Sequence, residues 1–171
     1  MRTLHRARLV ALLAATTLLA GCGAAGGIGG ASAPPLELRI VTASAQETCT
    51  VPPLSSDGPG SACDLAGTTT YAVGEPLGVV TPTSVTRSGE GVQQQVDVRF
   101  GTTDRDTLAE VTRAAQGKEL ALLVDGRVLS ASLVMEPITG GAFTFGFGTT
   151  GEADQVATAL GATPAGGSPT P

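Results

Sequence analysis

The sequence GKELALLVDGRVLSASLVMEPITGGAFTFGFG, residues 117–148, reads as three short strands in succession. Glu119–Val124 is a nearly continuous apolar run, of strand length and short for a helix. Asp125-Gly126 follows, the pair that a two-residue hairpin favours because both central positions need φ > 0. Residues 127–135 return as a second strand rich in Val and Leu. Glu136, Pro137, Ile138, Thr139, Gly140 and Gly141 then reverse the chain, with Pro barring a central ladder position and the glycines permitting a left-handed residue. Ala142–Phe147 alternates strictly and places Phe143, Phe145 and Phe147 on one face.

Taken together, a Gly-Lys, an apolar strand, Asp125-Gly126, a Ser-Ala strand and the Glu136–Gly141 turn resemble the head of the large extracytoplasmic domain of SecD, a membrane component of the bacterial Sec translocase. The resemblance reaches back to Tyr71-Ala72-Val73-Gly74 and forward to residues 150–160. Leu36-Glu37-Leu38-Arg39 is similar to the first strand of that head. Ser132 stands where the family usually has Pro, and the stretch between Cys49 and Cys63 is not a family feature. Membership implies an α+β head that engages polypeptide emerging from the translocon. In the family that head moves with proton flow through membrane helices, which this sequence lacks, so what the resemblance implies here is binding.

Outward from that stretch, residues 36–41 read as a strand, 71–73 as a short one and 76–86 as irregular extended chain. Val92, Val96, Val98 and Phe100 mark a half-buried strand. Gly101-Thr102-Thr103-Asp104 supplies turn and cap residues for a helix to about Gln116, with Leu108, Val111 and Ala115 on one face. A second helix begins near Thr150 and buries Ala153, Val156, Ala157 and Leu160. The expected fold is one α+β domain over residues 36–160, a mixed β-sheet with two helices packed on one face, SecD-head-like. A right-handed parallel crossover should join 92–100 to 120–124 through the first helix. Residues 161–171 are a Gly/Pro/Thr tail of disordered composition.

Residues 1–21 carry Arg2, Arg6 and Arg8, then an apolar run closing on Leu19-Ala20-Gly21-Cys22. That is signal-peptide grammar, and the apolar run is well short of the ~20 residues a spanning helix needs. The residues around Cys22 resemble the lipobox of bacterial lipoproteins, which implies cleavage before Cys22 and acylation of its thiol. An ordinary signal peptide is the alternative. Two or more acyl chains hold a protein stably on a membrane where one does not. Residues 22–35 form a flexible tether; its Gly/Ala/Ser-rich chain reaches roughly 20 Å. The localisation expected is the extracytoplasmic face of the cell membrane.

Cleavage would remove three of ten basic residues and leave seven against fifteen acids, a formal charge of −8. Bulk charge of that sign disfavours nucleic acid as a partner. With Cys22 acylated, Cys49 and Cys63 remain as a pair in an exported chain. Thirteen residues rich in Pro, Gly and Ser lie between them and read as a surface loop. A disulfide is expected there; the alternatives are free thiols or a metal site, for which two cysteines are few ligands.

Chemistry-bearing residues are sparse. His5, the one histidine, leaves with the signal peptide, so a Ser-His-Asp triad or histidine metal site is not expected. Asp104, Asp106, Glu152 and Asp154 stand at helix starts, where negative charge suits the helix dipole. Gly146-Phe147-Gly148-Thr149-Thr150-Gly151 spells a dinucleotide-binding motif, but too few residues follow for the next strand and its ribose-binding acid, so nucleotide is not expected. Phe143, Phe145 and Phe147 are expected as core under the helices; the functional alternative is an aromatic groove for extended polypeptide. The expectation is a non-enzymatic module without cofactor, binding exported polypeptide or the translocase. The alternative is an envelope module, for a cell-wall glycan or another envelope protein, that has reused the fold.

Overall fold

The computed structural model describes residues 33–90 and 93–162. Cys22, the signal peptide 1–21, residues 22–32 of the tether, Val92 of the expected 92–100 strand and 163–171 of the tail lie outside the described residues. The elements run β1 (Leu36–Gln46), β2 (Gly60–Cys63), β3 (Thr69–Val80), β4 (Pro82–Glu90), β5 (Gln93–Phe100), α1 (Thr102–Ala114), β6 (Glu119–Val124), β7 (Arg127–Leu133), β8 (Ala142–Phe147) and α2 (Thr150–Ala159). One sheet has the order β2-β3-β1-β6-β7 and the other β4-β5-β8. Every paired strand is antiparallel, and an isolated parallel bridge joins Asp64 to Val128.

The α+β class and the two helices are as expected, and both helices feed one core with β1, β3, β5 and β6. The parallel crossover is not there. β5 and β6 belong to different sheets, because β6 takes the place beside β1 (Glu37 opposite Leu123, Ile40 opposite Leu120). Residues 76–86, expected as irregular chain, are instead strand. Pro76 falls opposite Arg39 at a register shift and beyond the end of β2, and Pro82 opens β4; those are the positions where a missing N–H is tolerated. Thr81 alone separates β3 from β4, so the chain passes directly from one sheet to the other.

Why β6 is apolar throughout follows from its two covers. Leu120, Leu122 and Val124 face the main core, while Ala121 and Leu123 face a second cluster with Ala62, Val73 and Val128. A strand covered on both faces loses the alternation of a half-exposed one. The second cover is the Cys49–Cys63 loop, which lays Leu54 against that cluster and contains β2. The stretch read as a coreless surface loop is therefore a lid.

Cys49 and Cys63 are disulfide-bonded, with Cα atoms 5.5 Å apart. Leu54 N–H donates to Gly126 O at 3.0 Å and Cys49 N–H to Gly67 O at 2.9 Å. Closing a loop of ~15 residues is worth about 3 kcal/mol through the unfolded state. The Cys49→Ala/Cys63→Ala variant should lose about that much in urea unfolding while keeping its circular dichroism. Its lid keeps the bonds to Gly126 and Gly67.

Candidate functional site

Of the sequence-derived candidates, the Asp125-Gly126 hairpin and the Glu136–Gly141 turn are structural, and the phenylalanine face borders a groove. Asp125 and Gly126 both have positive φ, 47° and 73°, as a tight hairpin requires. In the second reversal Gly141 is the left-handed residue, at φ 67°, and a side chain there would meet Arg105 of α1. Gly140 has open space around it.

The turn is strapped to α1. Thr112 is fully buried; its hydroxyl donates to Leu108 O at 2.7 Å and accepts from Ile138 N–H at 2.9 Å. Gln116 Nε2 donates to Met135 O at 3.1 Å, and Phe100 N–H to Gly141 O at 2.9 Å. These bonds carry the chain from β7 over the helix to β8 and set Ile138 as a wall.

Phe143, Phe145 and Phe147 stand opposite Val98, Val96 and Gln94 on β5. Their rings form a file with Phe100, at centroid separations of 5.4, 4.9 and 6.2 Å. Such spacings fall in the range of favourable aromatic pairs. All three pack on the main core, as expected, yet each remains half-buried rather than enclosed.

Phe143 and Phe145 border a cavity of about 190 Å³. Leu108 and Thr112 of α1, with Leu120 and Leu122 of β6, form its floor. Ser130 and Ser132 of β7 close the side facing the phenyl rings. These serines stand opposite Leu122 and Leu120; Ser130 is half-buried and Ser132 exposed at the mouth of the cavity. Their hydroxyls lie 3.4 Å apart. A second cavity of about 270 Å³ continues along β7, sharing Thr112, Leu120, Leu122, Ser132 and Ile138. Leu133 and Met135 at its rim are 57% and 71% exposed. No ionisable side chain lines the first cavity, and Glu136 is the one at the second.

Sequence reasoning missed Thr112, Leu108 and Ser130 as parts of this site. The signal available was Ser-Ala-Ser interrupting an otherwise Val/Leu-rich strand. The ionisable groups whose proton affinity the fold perturbs are elsewhere. Burial pushes the Tyr71 hydroxyl up, helped by the charges of Asp64 and Glu119. Burial alone would raise Asp64 too, but hydrogen bonds from Thr68 and Thr69 hold it below the usual carboxylate value.

Three of the four helix-start acids have structural partners. Glu152 completes a capping box with Thr149, which accounts for the Gly146–Gly151 motif as a strand end and helix cap. Asp154 pairs with Arg87 at 2.8 Å, and Asp106 lies 3.6 Å from Arg105. Among the described residues no group of three or more His, Cys, Asp or Glu is placed to hold a metal ion.

Residues 67–164 match the family model described as SecDF, P1 head subdomain. No curated protein matches the chain. A solved structure described as a membrane component SecDF that enhances protein export is 21% identical, with a TM-score of 0.52. That match covers 77% of this chain and 64% of the other, so the chain spans less than two thirds of its relative's length. SecDF in a super-membrane-facing form is 22% identical at a TM-score of 0.50, over 77% of this chain and 19% of that one. At these identities the two structures speak for the fold alone.

Proposed function

Because this chain belongs to the SecDF P1 head subdomain family, we propose that it is a non-enzymatic module of protein export that holds extended polypeptide at the outer face of the membrane. The observation that carries this reading is the groove along β7: an apolar, uncharged cavity continued by a second one and flanked by exposed Leu133 and Met135. A folded protein exposes few large apolar groups in one place without a use for them. An extended chain offers apolar side chains and unpaired backbone together, which a folded one hides.

The test is titration of the full mature chain with a labelled, denatured exported protein at low and high salt, with its folded form as control. Weak binding to the unfolded form alone is expected, since ordering a flexible ligand costs conformational entropy. It should survive moderate salt if it rests on apolar contact. Loss at high salt would mean attraction to the net charge of the chain. The Ser130→Val/Ser132→Leu variant should unfold at equal or higher denaturant, because it fills apolar space, while losing most of the binding. A filled groove that binds as well as the open one would move the site elsewhere.

The anchor belongs to the same proposal. We place an acylated Cys22 at the mature N-terminus, on the Leu19-Ala20-Gly21-Cys22 pattern. Cys22→Ser should shift the protein out of the membrane fraction or leave it uncleaved, and should remove the lipid mass from the intact protein. Wild-type protein without that mass would end the anchoring model.

A further inference from the structure

We propose that the groove binds its polypeptide by strand addition to the open edge of β7, with one aromatic or branched aliphatic side chain seated between the serines of β7 and the phenyl rings of β8. This rests on the reading of the groove as a polypeptide site. It adds the backbone geometry and a sequence preference.

β7 is the terminal strand of the five-stranded sheet and β8 of the three-stranded one. On its outer side β7 has an isolated bridge at Val128, and no strand pairs with residues 129–133 there among the described residues. Both strands border the same cavity. Thr144 contributes to it although its hydroxyl donates to Asp97 on the opposite face of the sheet, so β8 meets the cavity with its edge as well as its rings. An extended segment lying there would satisfy unpaired N–H and C=O groups, as in other strand-addition sites.

Size selects the anchor. A cavity of ~150 Å³ lined by Leu, Ile and Phe holds benzene. The 190 Å³ here fits one phenyl or isobutyl group. Side chains two residues apart on a strand share a face and lie ~6.6 Å apart. The second cavity, which shares Ser132 and Ile138 with the first, therefore receives the residue two positions along. The partner is a segment with apolar residues at i and i+2. An acid is excluded at either place, because the first cavity is apolar and Glu136 borders the second.

The experiment uses the full mature chain and synthetic octapeptides with Phe and Leu at alternate positions between Thr and Ser. Two versions carry N-methyl groups on one or the other alternate set of amides, and a third has Asp in place of Phe. Strand addition leaves only one set of amides facing β7, so one methylated peptide should bind at least tenfold more weakly and the other almost unchanged. The Asp peptide should also lose at least tenfold. Amide exchange at residues 129–133 should slow in the complex. Equal binding by both methylated peptides, or failure of all peptides while denatured precursor still binds, overturns strand addition and leaves the groove reading intact. Failure of the precursor as well overturns the groove reading itself.

Discussion

Gly126→Val is expected to destabilise the domain by about 3–5 kcal/mol, a large part of the ~5–15 kcal/mol a domain usually has. Two costs meet at this residue. Its φ of 73° is strained for a β-branched residue, at about 1–3 kcal/mol. Any Cβ would also land on the backbone nitrogen and oxygen of Leu54, in the lid whose N–H bonds Gly126 O. A flexible side chain can yield to such a clash, but this backbone is tied by the Cys49–Cys63 disulfide and cannot retreat without opening the second core. Gly140→Val is the control. It meets nothing within 4 Å and has no positive φ, so denaturant unfolding should match wild type within about 0.5 kcal/mol. Equal stability for both variants would mean the lid does not clamp the hairpin.

Arg39→Ala should cost a similar amount, about 3–5 kcal/mol, through polar rather than steric loss. Arg39 is 1% exposed, beneath the lid on the outer side of β1. Nη1 donates to Gly58 O at 2.7 Å and Gly74 O at 2.9 Å; Nη2 donates to Ser56 O at 2.6 Å and Glu37 Oε1 at 2.7 Å. Truncation leaves three carbonyls without that donor, each worth roughly 1–3 kcal/mol if it stays buried. Arg39→Lys should recover only part of the loss, since an ammonium does not reproduce the planar fork. Unfolding free energies of the three proteins decide this. A wild-type value for Arg39→Ala would show the lid is held by the disulfide and Leu54 alone.

These two residues also mark how far the sequence could be read. Gly126 was legible because a hairpin turn is a local object: two residues between two apolar runs, with a conformational demand that Asp-Gly meets. The alternation of Phe143, Phe145 and Phe147 is local in the same sense. Arg39 was not legible. In sequence it is a cation in a strand that also carries Glu37, and only the lid folded over β1 makes it a buried donor.

The sequence by itself determined the strands of 117–148, the two helices and the cysteine pair, because periodicity, turn chemistry and spacing act over a few residues; the family came from the resemblance of the 117–141 motif. Tertiary structure alone decided which strand neighbours which. β6 settles beside β1 rather than parallel to β5, and the lid becomes the cover of a second core, since pairing depends on competition among edges far apart in the chain. The groove belongs to that second category. Ser132 stood out in the linear reading only as a departure from the family's Pro; the two serines border a groove only where the fold sets them opposite Leu122 and Leu120 and across from Phe143 and Phe145, with Thr112 holding Ile138 as the far wall.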